Sequence, residues 1–374
     1  MRVLYVCRSL AFWGGIERIL VDKMNLLVTM FGYEVFMLTA DQGNHPVPYQ
    51  LEEKVYLKDL GIRFHQQYQF HSIKRLWVAK RLERLFKKRL SEHLQIIKPD
   101  VIVCTTANYV DINILARLKG DFPLVVESHS IRQQTLGKNG FCNKYSDYMY
   151  RKGLSKARVI VALTEFDAAE WRKVHLCVKV IPNIVHLNGG EVSTLKNKRV
   201  IWVGRFDYQK RPLEMIKIWQ KVYPRYPDWH LDIYGEGEMK NELENEVVSL
   251  NMNIHIHQPT SRIFNAYRES SILVSTSLFE PFGLVIPEAM SCGLPVVSFD
   301  CPYGPADIIT DGVDGFLIKN RDIHAFADKV CQLIEDEDLR RRMGRNGIVS
   351  SQRYRADAIM PKWVDLFQKV LSSQ

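Results

Sequence analysis

No apolar run in this 374-residue chain approaches the roughly 20 residues needed to span a bilayer, so the sequence reads as one that does not cross a membrane. The opening MRVLYVCRSLAF has an alternating apolar core, but Arg8 interrupts it and no small-residue cleavage site follows. It therefore reads as a first strand and not as a secretory signal. We expect residence in the cytoplasm, with peripheral attachment to the inner membrane face left open. Paired cysteine spacing is also missing. Cys7, Cys104, Cys142, Cys177, Cys292, Cys301 and Cys331 are scattered, which argues against a disulfide framework or a zinc site and suggests reduced thiols, several of them in cores. Internal repeats and low-complexity segments are absent as well.

What is present is ordinary in amount and informative in arrangement. Hydrophobic residues make up 46% and charged residues 25%, the balance of a soluble globular protein long enough for two cores. A net charge of +9 implies an anionic partner, whether nucleotide, nucleic acid or acidic lipid. Short β-rich runs alternate with amphipathic stretches: RVLYVC, YEVFMLT, DVIVCTT, PLVVES and RVIVAL, then RVIWVG, WHLDIYG, NIHIH, ILVSTS, PVVSF and GFLI. This is the pattern of α/β domains with parallel sheets and helical crossovers. Between the two sets, Asn183 to Lys198 carries no clear periodicity and reads as the linker. In such open sheets ligands bind outside the carboxyl ends of strands, and two facing domains would create a cleft between those ends.

Glu280 and Glu288, with seven residues between them, lie in FEPFGLVIPEAMSCGLPVV, which follows the apolar strand ILVSTS. Pro287 is tolerated in a first helical turn, so a helix is predicted to begin close by. Backbone N–H groups around Phe282, Gly283 and Leu284 would then lack intrahelical partners, at a helix end that favours anions. Carboxylates can take vicinal hydroxyls in pairs, so one glutamate could hold a sugar and the other a ribose. The plainer alternative has Glu288 complementing the helix dipole and Glu280 solvated.

RVIWVGRFDYQKRP places Arg205 and Lys210 after the first strand of the second half. A guanidinium fork and a mobile ammonium could neutralise a diphosphate leaving group and so lower the barrier to its departure, or both could be solvated loop charges. Gly14 and Gly15 precede an amphipathic helix carrying Ile16, Ile19, Leu20 and Leu27. Paired glycines permit close approach of a ligand, although a plain strand-to-helix turn explains them too. Glu17 could face an acceptor hydroxyl or complement the dipole. His129 ends PLVVESHS and could donate a hydrogen bond to a sugar hydroxyl, or be structural. The glycines at 235 and 237 either let the chain pass close to a base or ribose or make a tight turn.

Taken together, VGRFDYQKRP, the Glu280/Glu288 pair and CPYGPADIITDGVDGFLI resemble the family 4 glycosyltransferases, most strongly from Val203 to Ile318, with GGIER and His129 matching more loosely. The resemblance implies the GT-B fold, two Rossmann-like domains with parallel sheets facing across a cleft. It implies a first domain over residues 1–183 that takes the acceptor, a second over 184–354 that takes the nucleotide sugar, and a helix over 355–374 crossing back to the first. Apolar Ile359, Trp363, Phe367 and Val370 fall at helical spacing in that last segment. By resemblance, Glu288 holds the nucleotide ribose, Glu280 and the N–H groups of Phe282, Gly283 and Leu284 meet the transferred sugar, and Arg205 and Lys210 meet the diphosphate. Gly15 would approach the diphosphate from the first domain and His129 the sugar, with Gly14 and Glu17 as cleft or acceptor contacts. The family works with retention at the anomeric carbon and without a cofactor or bound metal. Departures are Ile184 and Val185 where a glycine is common, His186 in place of a frequent Asp, and Pro287 in place of an aliphatic residue.

The stretch HSIKRLWVAKRLERLFKKRLSEHLQIIK, from His71 to Lys98, alternates Leu76, Trp77, Leu82, Leu85 and Phe86 with Lys74, Arg75, Lys80, Arg81, Arg84, Lys87, Lys88 and Arg89. A basic amphipathic helix of this kind can lie on anionic lipid, or it can be a surface helix with its apolar face in the domain core. Nucleic acid is a weaker reading, since no reader motif accompanies the charge. The sequence is thus read as a retaining glycosyltransferase. It would move a hexose or N-acetylhexosamine from a nucleotide diphosphate sugar, UDP favoured, to a lipid-linked glycan in surface polysaccharide or lipopolysaccharide assembly. A sugar-nucleotide epimerase on the same fold and a non-catalytic nucleotide-sugar-binding scaffold are the alternatives.

Overall fold

The computed structural model describes residues 1–12, 14–105, 109–129 and 141–372; the side chains of 109–110, 141–144 (Cys142 among them), 146 and 320 lie outside the description. The chain divides into two compact units, Met1–Ile184 with Ile359–Gln374, and Val185–Ala358.

Unit 1 is built on a seven-stranded sheet of β1 (Arg2–Cys7), β2 (Glu34–Thr39), β3 (Tyr56–Asp59), β4 (Val101–Cys104), β5 (Leu124–Glu127), β6 (Val159–Ala162) and β7 (Val178–Val180). Its order is β3-β2-β1-β4-β5-β6-β7, and each neighbouring pair is parallel. All residues of β4, β5 and β6 are buried, as expected for central parallel strands covered by helices on both faces. The edge strands β3 and β7 are half exposed, and their mixed sequences offer no continuous apolar run to read. The last helix, Ala356–Ser372, buries Ile359, Trp363, Phe367 and Val370, the positions its periodicity predicts, and from Ile359 onward it belongs to unit 1.

Unit 2 carries β8 (Arg199–Val203), β9 (His230–Tyr234), β10 (Ile254–His257), β11 (Ile272–Ser275), β12 (Val296–Phe299) and β13 (Gly315–Ile318). The order β10-β9-β8-β11-β12-β13 is again parallel throughout. Chain order reverses at β8, which lies between β9 and β11, so the loops leaving the carboxyl ends of β8 and β11 flank the switch point where open sheets bind ligands. Trp202, Ile216, Trp219, Ile233, Val274, Phe299 and Phe326 pack the core beneath.

The segment read as a linker has no regular structure, yet it is tied down on unit 2. Val185 donates to Tyr354 O, Asn188 N–H to Ser291 Oγ and Ser193 N–H to Cys292 O. Unit 2 runs to Ala358 and includes Tyr354 in its core, where the ring meets Phe282 edge-on at 5.2 Å and the hydroxyl donates to Asp307 O.

Candidate functional site

The site in unit 2 begins where β8 stops. After Val203 the chain turns through Gly204, and Phe206 is buried under the turn. Asp207 shapes the approach to the next helix, its carboxylate accepting Lys210 N–H at 2.9 Å and its carbonyl accepting from Arg211. Arg211 takes a left-handed φ of 53° and Pro212 then opens the helix Pro212–Val222, with proline at the helix start where its missing N–H costs nothing. On the neighbouring strand, Thr276 Oγ1 accepts from Trp202 Nε1 and donates to Lys210 O, and Leu278 N–H donates to Gln209 O. Arg321, held by Glu214, donates to the carbonyls of Ser277 and Thr276. These bonds lock the ends of β8 and β11 together.

The result is a charged cluster of two widely separated sequence segments. Lys210 Nζ pairs with Glu280 Oε1, and Ser277 Oγ donates to the same oxygen at 2.6 Å. Glu280 is 4% exposed. Burial, reinforced by the charge of Glu280, pushes the neighbouring Cys301 thiol up to about 12, so that cysteine stays protonated and inert. Arg205 differs: its side chain is largely exposed, paired with Asp207 at 2.8 Å and donating to Gln209.

Beyond Glu280 the chain enters the predicted helix, Val285–Ser291, with Pro287 and Glu288 in its first turn. Gly283 has a left-handed φ of 96°, and the N–H groups of Phe282, Gly283 and Leu284 have no backbone acceptor among the described residues. Phe282 is buried, and a Cβ on Gly304 would lie 2.0 Å from Phe282 O, so the following loop packs directly on this turn. Glu288 is buried and accepts from Tyr267 OH at 3.5 Å. The glycines at 235 and 237 resolve differently. Added Cβ atoms would lie 1.9 Å from Gly204 O and 2.5 Å from Phe206 O, so these glycines let the β8 and β9 loops pack on each other.

The remaining residues singled out in the sequence belong to unit 1. Gly14 caps the helix Gly15–Phe31, its carbonyl accepting from Arg18 N–H and Tyr49 OH. Glu17 folds back over the helix start, where a Cβ on Gly14 would lie 2.2 Å from its Oε2, the arrangement of a dipole-complementing carboxylate. His129 follows β5 on a segment anchored by Ser128, whose Oγ bonds Asp167 and accepts from Trp171 Nε1. Its Nε2 lies 2.8 Å from Glu127 Oε2.

Sequence reasoning missed Ser277, Thr276, Arg321, Lys23 and Glu127. For Ser277 the signal was its place at the end of the strand leading to Glu280. For Lys23 it was a cation between Ile19 and Leu27 on an apolar helix face, and for Glu127 an acid inside a buried strand. Among the described residues no group of three or more His, Cys, Asp or Glu side chains is placed to hold a metal ion, and no helix is long and apolar enough to cross a membrane.

Comparison with known proteins covers nearly the whole chain. The Glycosyltransferase Family 4 model matches residues 13–188 and the Glycosyl transferases group 1 model matches residues 190–349. The amylovoran biosynthesis glycosyltransferase AmsD of Erwinia amylovora is 32% identical over 222 residues, 56% of this chain and 62% of that one. The Campylobacter jejuni GalNAc-alpha-(1->4)-GalNAc-alpha-(1->3)-diNAcBac-PP-undecaprenol alpha-1,4-N-acetyl-D-galactosaminyltransferase is 23% identical over 374 residues, 99% of each. Among solved structures, Anabaena Alr3699/HepE in complex with UDP superposes with a TM-score of 0.77 at 18% identity, over 99% of this chain and 100% of that one, a likeness of fold.

Proposed function

This chain belongs to the glycosyltransferases, matched by the family 4 and group 1 models and sharing the α/β GT-B fold of solved glycosyltransferases, and from that premise we propose that it is a retaining enzyme. It moves a hexose or N-acetylhexosamine from a UDP-sugar to a lipid-linked glycan in surface polysaccharide or lipopolysaccharide assembly. The observation that carries the reading is the meeting of Lys210 and Glu280 at the carboxyl ends of β8 and β11, beside the N–H groups of Phe282, Gly283 and Leu284, which have no backbone acceptor among the described residues. A diphosphate needs positive charge without bulk, and Lys210 with the exposed Arg205 supplies it. Glu280 and those N–H groups suit the transferred sugar, and Glu288 suits the ribose.

In the reaction the bond between the anomeric carbon and the diphosphate oxygen breaks, its electron pair leaving with the diphosphate. The acceptor oxygen bonds the anomeric carbon on the same face, and the departing phosphate takes the acceptor proton. Arg205 and Lys210 stabilise the charge that develops on the leaving group, which makes a metal unnecessary to the scheme. UDP is favoured because the UDP-bound Anabaena structure shares the fold. The undecaprenol-linked substrate named for the Campylobacter relative supports the acceptor class, and AmsD supports polysaccharide assembly.

Unit 1 is assigned to the acceptor, with Gly14, Glu17 and His129 on its ligand side. The helix Ser72–Ile97 has one buried and one exposed apolar set. Leu82, Phe86, Leu90 and Leu94 are buried in the core, while Ile73, Leu76 and Trp77 are exposed among Lys74, Arg75 and Arg81. Exposed apolar residues ringed by cations suit an anionic membrane, where a lipid-linked acceptor resides.

Incubating the purified protein with a panel of sugar nucleotides and membrane extract, and following nucleoside diphosphate release, tests the reading. UDP release with an α-linked product from an α-linked donor is expected, and Glu280→Ala should keep donor binding while losing turnover. An inverted product removes the retaining assignment, and free epimerised sugar made without acceptor favours the epimerase.

A further inference from the structure

At the amino ends of β2 and β3, unit 1 holds an open cavity of about 310 Å³. The helix Gly15–Phe31 stops beside it because Gly32 takes a left-handed φ of 64°, its N–H donating to Val28 O while Tyr33 N–H donates to Leu27 O. Gly32, Tyr33, Glu34 and Phe36 line the cavity from the helix end and β2, and Lys54 and Tyr56 line it from the start of the edge strand β3. A Cβ on Gly32 would meet nothing within 4 Å, as expected beside open space. Phe36 lies opposite Tyr56 in the parallel register, and the two rings meet at 5.8 Å with a tilt of 57°. Gly14 and His129 instead follow the carboxyl ends of β1 and β5, so this cavity lies at the other end of the same sheet.

Its polar groups are not engaged by the fold. Lys54 Nζ and the hydroxyls of Tyr33 and Tyr56 have no side-chain hydrogen bond or ion pair among the described residues. Glu34, 3.4 Å from Arg2, keeps 61% of its side chain exposed. Burial raises the Tyr33 phenol above its ordinary 10.0, so it remains a hydrogen-bond donor. An anion fits this place badly, since it would face Glu34 and the carboxyl end of a helix with no basic residue in its last turn. A lipid chain or an apolar peptide fits badly too, because it would take water from Lys54 and Glu34 and replace none of it. A neutral sugar ring meets both demands. Its C–H faces pack on aromatic rings, and its hydroxyls donate to Glu34 and accept from Lys54 and the phenols.

We propose that this cavity is a glycan-binding site, which takes a neutral pyranose of a longer saccharide at a place where no transfer occurs. A chain held here raises the effective concentration of its remaining sugars around the enzyme. The inference goes beyond the proposed reaction, and its test needs neither donor nor turnover.

Saturation-transfer NMR of the full chain with maltotetraose, N-acetylated chitotetraose and a hyaluronan tetrasaccharide reads binding directly. At least one of the two neutral probes is expected to bind the parent, and to bind Glu280→Ala equally well. Tyr56→Ala and Lys54→Ala should each weaken that binding roughly 10-fold, with Tyr56→Phe, which keeps the ring, losing less. Both side chains are exposed, so Tm should stay at the parent value in all three variants. No transfer to either neutral probe, parental binding in Tyr56→Ala, or tighter binding of the charged hyaluronan fragment overturns the proposal. Sedimentation showing a dimer that Tyr56→Ala dissociates assigns the face to a second copy of the chain and overturns it as well. A parent that binds a neutral probe but turns over no sugar nucleotide removes the proposed reaction and leaves this site standing.

Discussion

Lys210 and Glu280 form an ion pair in which Ser277 is the third member, joining the turn after β8 to the loop after β11. Removing one partner strands the other. Lys210→Met leaves Glu280 buried with Ser277 alone, and we expect a loss of about 3 kcal/mol in urea unfolding, at the low end for a buried pair because Lys210 retains some exposure. Lys210→Met/Glu280→Gln should recover most of that stability. Both variants should lose turnover by roughly 100-fold or more, since the leaving-group charge is no longer met. Parental stability in the single variant would mean that the pair is solvated.

The loop bearing the N–H groups of Phe282, Gly283 and Leu284 depends on Gly304. Its Cβ would collide with Phe282 O at 2.0 Å, a backbone atom that cannot move aside without shifting the turn. Gly304→Ala should cost about 1–3 kcal/mol by overpacking and weaken donor binding with it. Gly312, with a left-handed φ of 76° and open space around it, is the control: Gly312→Ala should cost about 1–2 kcal/mol of backbone strain and leave donor binding intact. Titration calorimetry with UDP alongside thermal unfolding separates the two.

How much of this was legible depended on burial. Strands such as β4, β5 and β11 announce themselves because parallel strands covered on both faces are continuous apolar runs, whereas β3 and β7 are edges with mixed sequences. Arg205, Lys210, Glu280 and Glu288 stood out because each follows a strand or opens a helix. That Lys210 binds Glu280 depends on the pairing of β8 with β11, such as Trp202 opposite Val274, and no local pattern encodes it. The buried ion pair of Lys23 with Glu127 was hidden for the same reason, since β5 reaches the first helix only through the fold. For the helix Ser72–Ile97 the sequence offered two readings, and the structure buries Leu82, Phe86, Leu90 and Leu94 while leaving Ile73, Leu76 and Trp77 exposed.

Acid should expose the charge balance of unit 1. Glu127 and Asp59 both have pKa values below their ordinary 4.5 and 3.8. For both, burial pulls upward, but Lys23 and His129 outweigh it at Glu127, and Arg63 with the N–H groups of Gly61 and Gly43 outweighs it at Asp59. A depressed folded pKa means that the unfolded chain binds protons first, so the stabilisation is complete above the unfolded value and is lost as pH falls through the folded one. Tm measured from pH 7 to 3 should hold until about 4.5 and then fall. The fall should be shallower in Lys23→Met/Glu127→Gln, and an equal slope would show that Glu127 is not held ionised in the fold.

The exposed end of the helix Ser72–Ile97 makes a separate claim, about surfaces. Lys74 lies 4.5 Å from the Phe70 ring centre and Arg75 4.6 Å from that of Tyr68, so cations and aromatic faces are interleaved on one patch with Ile73, Leu76 and Trp77. At about 1 kcal/mol per basic residue near an anionic surface, Lys74→Gln/Arg75→Gln/Arg81→Gln should lower partition into phosphatidylserine vesicles by roughly 100-fold. Trp77→Ala should weaken binding further by removing an interfacial anchor. Because these side chains lie outside the unit 1 core, Tm should move little, and UDP release with a water-soluble acceptor should be unchanged. Sedimentation with phosphatidylserine and phosphatidylcholine vesicles checks the idea, and equal binding of the parent protein to both would remove the electrostatic part of it.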